Sequence, residues 1–159
     1  MKHTFRSAWS GLLRPFQRPD RTPQVGALCL RARKGGAQVL LITSRDTGRW
    51  IIPKGWPMDG LSDARAAQQE AWEEAGVREG RVSAAPVGSF PYDKRKSDNR
   101  VIPVDVAVYR IEVDAMADDF PEANERTRRW VSPTQAAEMV DEPELAALLR
   151  GLEGQGPNA

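Results

Sequence analysis

Apolar runs of strand length recur along the chain, separated by short segments rich in glycine, proline and charged residues. The first two runs, 24–33 and 38–43, flank Lys34-Gly35-Gly36 and therefore predict a hairpin. The pattern favours strands at 24–33, 38–43, 49–52, 81–90, 101–113 and 128–131. Residues 53–61 contain two prolines and two glycines and predict a loop, and residues 92–100 predict a polar hairpin tip.

Helical patterns occupy the segments between these runs. Ser62 can cap a helix that continues to about Ala75, and Gly76 suits the left-handed position that closes a helix. Two shorter helices are predicted at 133–140 and 144–149. Because strands outnumber helices and the helices interrupt them irregularly, the predicted fold class is α+β, with a mixed sheet flanked by helices.

Composition narrows the class of protein without identifying it. A chain of 159 residues with 40% hydrophobic and 28% charged residues is typical of one globular domain. The net charge of +1 gives no global field that would attract nucleic acid or membrane, and no apolar stretch approaches the roughly 20 residues of a membrane span. The single cysteine, Cys29, excludes an internal disulfide and is expected in the core, which favours a cytoplasmic location.

The two ends of the chain differ in composition from the middle. Residues 1–21 predict a basic N-terminal arm that packs loosely on the domain, although a transit peptide or a surface-binding helix has a similar pattern. Residues 22–150 form the predicted domain. Residues 151–159, with Gly, Pro and Asn, predict a flexible tail.

The helix predicted over 62–75 concentrates acidic residues on one side. At about 100° per residue, its alanines fall in one narrow stripe, which suits close packing on a sheet. Glu70, Glu73 and Glu74 fall on a neighbouring arc about 100° wide. Three like charges at this spacing repel one another, and a divalent cation would reverse the sign of that interaction. Carboxylates are hard oxygen ligands, so the pattern predicts a Mg²⁺ site, with Mn²⁺ as the alternative.

An exposed acidic helix face without any ligand explains the same glutamates, because glutamate is a good helix former. Two flanking features favour the metal site. Gly55 precedes the helix in a loop and can offer a backbone carbonyl, and Gly76-Val77 ends the helix abruptly.

Residues 55–77 resemble the Nudix box, in which Gly, five residues, Glu, seven residues and Arg-Glu are followed by an aliphatic residue, any residue, Glu-Glu, any residue, Gly and an aliphatic residue. The matching positions are Gly55, Glu70, Glu73, Glu74, Gly76 and Val77. Leu61 stands in place of the first Glu and Gln69 in place of the Arg. In the family these two charges support the metal-binding glutamate, so their joint loss puts the rate in doubt more than it does metal binding.

The resemblance extends beyond the box. Residues 49–55 and 120–130 are similar to segments of the diphosphoinositol polyphosphate phosphohydrolase group and its bacterial relatives, so the likeness covers roughly 22–150. It implies the Nudix fold, an α/β/α sandwich around a central mixed β-sheet. It also implies a metal held by Glu70, Glu74 and the Gly55 carbonyl, with Glu73 as the general base.

A diphosphate substrate requires cations beside the metal. The residues predicted to bind it are Arg45, Arg49, Lys54, Lys94, Arg95, Lys96, Arg100 and Arg128, with Arg126 and Arg129 as further candidates. The charges at the hairpin tip are also typical of a solvated turn that discourages edge pairing and contacts no substrate. Trp56, in the loop, is the tryptophan most suited to stacking on a base, whereas Trp50 and Trp130 are expected in the core. His3 is the only histidine, so Ser-His-Asp and Cys-His catalysis have no support.

Three functions remain open from the sequence. The first is a metal-dependent pyrophosphohydrolase that acts on a diphosphoinositol polyphosphate or a similarly crowded polyphosphorylated metabolite. The second is a hydrolase of nucleoside diphosphate derivatives, including diadenosine polyphosphates. The third is a non-catalytic Nudix-like sensor, favoured by Leu61 and Gln69 and disfavoured by the three retained glutamates. The expected partner is a small phosphoanhydride, neither nucleic acid nor membrane is expected to bind, and the protein is expected to be a monomer or homodimer.

Overall fold

A computed structural model describes residues 18–153 of the chain. The strands are β1 (Thr22–Arg33), β2 (Gly36–Thr43), β3 (Trp50–Ile51), β4 (Lys54–Gly55), β5 (Val77–Val82), β6 (Gly88–Arg95), β7 (Val101–Met116) and β8 (Arg128–Val131). The helices are α1 (Asp63–Ala75), α2 (Pro133–Met139) and α3 (Pro143–Arg150). The predicted α+β class and the mixed sheet are confirmed.

The sheet is organised around β1 and β7, which pair in parallel from Thr22↔Val104 to Leu30↔Glu112. All other pairings within the described chain are antiparallel, apart from one isolated bridge between Trp50 and Val140. Along the edge that does not contact β7, the first part of β1 pairs with β4 and the last part pairs with β2. This arrangement places the short β4 beside β1 in the middle of the sheet, where it contacts α1.

Each face of the sheet is covered by helices and has its own core. On one face the alanine stripe of α1, with Ala67, Ala71 and Ala75 fully buried, packs against residues of β1 such as Ala27. Small side chains let the helix backbone lie close to the sheet. The other face packs against α2 and α3 through larger residues, Phe90 and Leu145 among them. The layers are therefore helix, sheet and helix, as expected for the resemblance.

Both ends of α1 follow the sequence prediction. The Ser62 side chain accepts a hydrogen bond from the backbone N–H of Arg65, and Gly76 has φ of 73° in the left-handed region. A Cβ at Gly76 would also collide with Phe120 and the carbonyl of Ala117. Glycine is therefore required there both by the backbone conformation and by the space available.

Three predictions about local structure are wrong. The segment 81–90 is not one strand, because residues 83–87 loop out between β5 and β6, which both run along the same edge of β7. Pro86 lies in this interruption and has no N–H to donate to a ladder. Lys54–Gly55, expected in a loop, forms β4 because it finds a partner in β1. The hairpin tip is shorter than 92–100, since β6 continues to Arg95.

The predicted boundaries of the domain are untested, but the residues around them are fixed by contacts. Arg21, in the predicted arm, donates to the carbonyls of Tyr92 and Val104. Glu153, in the predicted tail, accepts hydrogen bonds from Thr134. Residues 1–17 of the arm and 154–159 of the tail lie outside the described part of the chain. None of the three helices within residues 18–153 has the length and apolar character needed to cross a lipid bilayer.

Candidate active site

The glutamate side of α1 faces a polar cavity of about 310 Å³ at the end of the sheet. Glu70, Glu73 and Glu74 all line it, together with Gly55 from β4. The spacing of the three glutamates on one helix and the pairing of β4 with β1 are what bring these groups together. The acidic residues predicted to hold and use a metal therefore share one cavity.

Gly55 is held against the carboxyl group of Glu70. A Cβ built on Gly55 would overlap the Glu70 carboxyl carbon and both of its oxygens. Gly55 does not have a positive φ, so the requirement here is for space and not for backbone conformation. Any larger residue at 55 would push the Glu70 carboxylate out of its position.

Glu74 is buried and surrounded by donors. Its Oε1 accepts a hydrogen bond from the backbone N–H of Lys54 at 3.2 Å, and its Oε2 lies 3.4 Å from Nη2 of Arg126. Arg126 also donates to Glu122 and to the carbonyl of Thr43, and its side chain is only 5% exposed. These contacts fix the orientation of the Glu74 carboxylate.

Glu70 and Glu74 form a hydrogen-bonded carboxyl pair. Burial raises the pKa of Glu70 to about 8, and the negative charge of Glu74 and the hydrogen bond between the two groups act in the same direction. Burial also raises the pKa of Glu74, opposed by the charge of Arg126. Two carboxylates this close share a proton in the absence of another cation, because both cannot be ionised cheaply.

The donor set fits a divalent cation that also binds substrate. Within residues 18–153 no three acidic, histidine or cysteine side chains converge into a complete coordination shell. Mg²⁺ takes one or two carboxylates and leaves its other positions to water and substrate phosphates. Glu70 and Glu74, with backbone oxygen nearby, match that open type of site and do not match a closed structural site.

Lys54, from β4, brings a buried ammonium group into the same cavity. Its ammonium lies 4.9 Å from the centre of the Tyr92 ring, and the Tyr92 hydroxyl donates to Gln24 at 2.9 Å. Burial lowers the pKa of Lys54 to about 8, while the negative charge of Glu74 partly opposes the shift. The Tyr92 ring, hydrogen-bonded to Gln24, therefore forms the part of the cavity wall next to the Lys54 ammonium.

The structure brings three of the eight cations predicted to bind substrate into the cavity: Arg45, Lys54 and Lys94. It does not bring Arg49, Arg95, Lys96, Arg100 or Arg128 into the cavity lining. Arg49 pairs instead with the buried Glu142, and Arg100 pairs with Asp98 inside its own turn. Arg95 follows Lys94 in β6 and is on the opposite face of the sheet, because successive strand residues alternate.

Arg128 has a structural position, contrary to the sequence prediction. Its Nη1 donates to the carbonyls of Ala75 and Ala117 at 3.0 and 2.9 Å, and its guanidinium lies over the ring of Phe120. It therefore satisfies carbonyls at the end of α1. The neighbouring candidate Arg126 is the one that reaches the cavity, and only the fold distinguishes the two.

Glu122, Tyr92 and Gln24 line the cavity but were not predicted from the sequence. Glu122 lies in the segment 120–130, which resembles a segment of Nudix relatives. That resemblance is the sequence signal that points to Glu122 as a site residue. Trp56 lines the cavity and is 38% exposed, as expected for a loop tryptophan. Trp50 and Trp130 pack against the two cores.

Leu61 and Gln69 lie away from the cavity. Both line a separate groove on the outer side of α1, beside Trp72 and Arg65, and both side chains are exposed. The positions that depart from the Nudix box are therefore not among the residues that contact the carboxyl pair within the described chain. Glu74 is instead supported by Arg126 and the Lys54 N–H.

Comparison with known proteins finds sequence relatives among plant Nudix hydrolases. Nudix hydrolase 21, chloroplastic, of Arabidopsis thaliana is 33% identical over 120 residues, which cover 72% of this chain and 58% of that protein. Nudix hydrolase 12, mitochondrial, of the same plant is 30% identical over 105 residues, covering 64% and 51%. The chain thus spans about half the length of the curated relatives that it matches.

Solved structures share the fold at lower identity. The C. elegans Ap4A hydrolase has a TM-score of 0.59 at 20% identity, covering 82% of this chain and 94% of that one. The NUDIX domain of Shewanella oneidensis NrtR, solved with ADP ribose, has a TM-score of 0.61 at 15% identity, covering 86% and 91%. The profile of the NUDIX domain family matches residues 20–151, which are most of the chain and contain the whole cavity. The chain therefore belongs to the NUDIX domain family.

Proposed function

We propose that this chain is a metal-dependent pyrophosphohydrolase that cuts a phosphoanhydride bond in a small molecule. The observation that carries the proposal is the shared cavity, in which Glu70, Glu73 and Glu74 face Lys54 and Lys94. Carboxylates alone would repel a diphosphate, and cations alone would bind it without activating water. Both groups together in one cavity suit the hydrolysis of a bound diphosphate.

Glu70, Glu74 and the backbone oxygen of Gly55 would hold Mg²⁺, or Mn²⁺ in its place. When bound, the ion neutralises phosphate charge and polarises the phosphorus–oxygen bonds. The Lys54 N–H and Arg126 keep the Glu74 carboxylate in one orientation. Gly55 leaves the space that the Glu70 carboxyl occupies.

Glu73 is the proposed general base. It lines the cavity, and within residues 18–153 its carboxylate makes no hydrogen bond or ion pair of the kind that engages Glu74. It would take the proton of the attacking water as the water oxygen bonds to phosphorus and the bridging oxygen leaves. The products are two phosphorylated fragments.

Three cations are placed to bind the substrate phosphates. Lys54 and Lys94 are partly buried in the cavity wall, where a charge interaction is stronger than in water. Arg45 is more exposed and lies 3.7 Å from both Glu122 and Glu125, so it is loosely held and available at the cavity mouth.

Two substrate classes are distinguished by different residues. A diphosphoinositol polyphosphate would extend its further phosphates from Lys94 towards Lys96, just beyond the end of β6. A nucleoside diphosphate derivative would stack its base on Trp56, which is the exposed aromatic ring in the cavity lining. The Ap4A hydrolase and the ADP ribose complex among the structural relatives make the second class worth equal testing.

The direct test is the formation of phosphorylated products, separated by ion-exchange chromatography, from a panel of phosphoanhydrides with Mg²⁺ or Mn²⁺, with both substrate classes represented. We expect turnover that is lost in Glu73→Gln and retained in the control Glu138→Gln, an exposed carboxylate on α2. Turnover of a diphosphoinositol polyphosphate that Trp56→Ala leaves unchanged would select the first class. Tight ligand binding with no turnover of any substrate would contradict the proposal and favour the non-catalytic sensor.

A small-molecule partner, a monomer or homodimer and a cytoplasmic location remain predictions. Several curated relatives carry mitochondrial or chloroplastic in their names, so location is best measured directly.

A further inference from the structure

Gln24, on β1, is a buried polar residue that lines the cavity at α1 and is only 2% exposed. Its side-chain Oε1 accepts a hydrogen bond from the Tyr92 hydroxyl at 2.9 Å, whereas its amide N–H groups donate to no atom of residues 18–153. Every fully enclosed side-chain nitrogen or oxygen of the described chain has a hydrogen-bond partner. The unpaired Nε2 of Gln24 therefore reaches the open space of the cavity, where water or a ligand must accept its hydrogen bonds.

Tyr92 determines which end of the Gln24 amide faces the cavity. A tyrosine hydroxyl keeps its proton at neutral pH, so it donates to the amide oxygen and holds that atom on its own side. The Tyr92 ring itself packs against the core beside Phe90, with 6.3 Å between the two ring centres. Because an amide group is planar, fixing its oxygen turns its nitrogen away from Tyr92. The two N–H donors of Gln24 are therefore aimed into the cavity.

Two ammonium groups share this part of the cavity with the Gln24 amide. Lys54 pairs with Gly26, two residues along β1 from Gln24, and its Nζ lies 4.9 Å from the centre of the Tyr92 ring. Lys94 follows Tyr92 by two residues on β6, so both side chains are on the same face of the sheet. Neither ammonium forms an ion pair or donates a hydrogen bond within the described chain. Three donors without an acceptor are thus collected around one tyrosine ring.

We propose that Gln24 is a substrate-binding residue that donates to a phosphoryl oxygen, while Lys54 and Lys94 bind oxygens of the same phosphate group. The two ammonium groups favour an anion, and a phosphoryl group offers several acceptor oxygens to donors that approach from different directions. The inference rests on the proposed function, because it takes the ligand to be a diphosphate. It adds a residue that fixes the orientation of that ligand.

The amide and the two lysines contribute different things to binding. A lysine ammonium is a point charge on a flexible stem, whereas the Gln24 amide is held by Tyr92 and donates in one direction. A donor that is already oriented loses little freedom when the ligand binds. Gln24 is therefore expected to contact the ligand, and Tyr92 is the positioning residue that acts through it.

The first test is calorimetric binding of methylenediphosphonate, a diphosphate analogue with a bridge that water does not cleave, to the full chain with Mg²⁺. Gln24→Met keeps the length of the side chain and removes its donors, so the Kd should rise about tenfold, as for one hydrogen bond to a charged group. Tyr92→Phe keeps the donors and frees their direction, so the Kd should rise about threefold. Mn²⁺ affinity without the diphosphonate should be unchanged in both variants.

Gln38→Met is the matched control. It removes an amide on β2 that accepts a hydrogen bond from Arg31, outside the cavity, so the Kd for methylenediphosphonate should equal that of the unmodified protein. A Gln24→Met protein whose Kd is within twofold of the control would overturn the inference.

The double variant Gln24→Met, Tyr92→Phe separates binding from stability. Gln24→Met alone leaves the half-buried Tyr92 hydroxyl without this acceptor and should lower Tm by about 4 °C. The double variant replaces both partners with apolar groups and should recover most of that loss. Its Kd should nevertheless stay raised about tenfold. A Kd that recovers together with Tm would overturn the inference, because Gln24 would then act only through the fold.

Turnover and binding can fail separately. If the unmodified protein hydrolyses no phosphoanhydride but binds methylenediphosphonate tenfold more tightly than Gln24→Met does, the hydrolase function fails and the phosphate site is supported. If the unmodified protein turns over a substrate for which Gln24→Met has an unchanged KM, the inference fails and the hydrolase function is supported. Failure of the unmodified protein to bind methylenediphosphonate at millimolar concentration would also overturn the inference.

Discussion

The domain contains two cavities of different chemistry, one at α1 and one beside α3. The cavity at α1 is the smaller, at about 310 Å³, and brings carboxylates and ammonium groups together. The cavity beside α3 is larger, at about 550 Å³, and is lined mainly by leucine, valine and alanine. Volume alone would have selected the apolar cavity as the site. The arrangement of charge selects the smaller one.

The residues of the two cavities have opposite effects on the stability of the fold. Filling an apolar cavity stabilises the domain, because removing apolar surface from water favours the folded state. Burying Glu70 beside Glu74 has the opposite effect, as the raised pKa of Glu70 indicates. Carboxyl pairs with raised pKa values are frequent at ligand and catalytic sites. Substitutions on the two sides should therefore change different measured quantities.

The largest expected effect is on kcat when a carboxylate of the pair is removed. Glu70→Gln and Glu74→Gln should each lower kcat by about a thousandfold, within the range of lost acid–base or metal-supported catalysis. Glu70→Gln should also raise the Tm of the metal-free protein at neutral pH, because a buried glutamine is uncharged without the proton uptake that the raised pKa of Glu70 imposes on folding. Glu138→Gln is the matched control and should change neither quantity. A Glu70→Gln protein with normal kcat would place the chemistry elsewhere.

Gly55→Ala should have the next largest effect. The added methyl group would overlap the Glu70 carboxyl and displace it, so kcat should fall about a hundredfold, as when groups that orient metal ligands are lost. Gly35→Ala, where a Cβ meets no atom within 4 Å, is the control. Steady-state kinetics of both variants decide the matter, and equal rates would mean that Glu70 does not need its present position.

Two neighbouring cations on β6 allow a matched comparison of substrate binding. Lys94→Ala should raise KM about tenfold, which corresponds to about 1.4 kcal/mol, because Lys94 lines the cavity. Arg95→Ala should change KM less than twofold for a compact diphosphate, since Arg95 is on the other face. Equal effects of the two substitutions would indicate a substrate that extends beyond the cavity along the hairpin.

Arg128→Ala should affect stability and not catalysis. Its loss would leave the carbonyls of Ala75 and Ala117 without this donor, at a cost of about 1–3 kcal/mol in the free energy of unfolding. Denaturant unfolding measures that loss, and kcat/KM should stay within twofold of the unmodified protein. A large rise in KM with unchanged stability would restore Arg128 to the substrate site.

The smallest expected effect comes from restoring the family pattern. Leu61→Glu combined with Gln69→Arg would restore the two charges that the Nudix box has at these positions. The structure places both positions in the outer groove, while Arg126 supports Glu74 from inside, so we expect less than a twofold change in kcat. An increase of tenfold or more would show that the outer pair still controls the metal site.

Prediction from sequence succeeded where local signals determine structure. The whole of α1 follows from Ser62, the alanine stripe and Gly76, and the same period places the three glutamates. The Nudix box then supplies Gly55, whose closeness to Glu70 depends on β4, a strand too short for its sequence to reveal. The periodicity of a single segment does not reveal which distant segment it pairs with.

The substrate cations show the same limit. Side chains alternate between the two faces of β6, so Lys94 and Arg95 lie on opposite faces because the strand extends to Arg95. The charged sequence of this segment favours a turn, so the sequence alone does not predict that separation. Arg126 and Arg128 are two residues apart in a similar sequence, and only their distant partners, Glu74 and the end of α1, distinguish them. The interruption between β5 and β6 was missed because the flanking apolar residues read as one run.

Calorimetric titration of divalent cations tests the central claim most directly. The unmodified protein should bind Mg²⁺ or Mn²⁺ in the millimolar range or tighter and release protons from the Glu70–Glu74 pair as it does so, since the ion replaces the shared proton. Glu70→Gln and Glu74→Gln should each weaken that binding at least tenfold, and Glu138→Gln should not. No uptake of either ion at millimolar concentration, or equal uptake by all four proteins, would contradict the proposed metal site and the hydrolase function that depends on it.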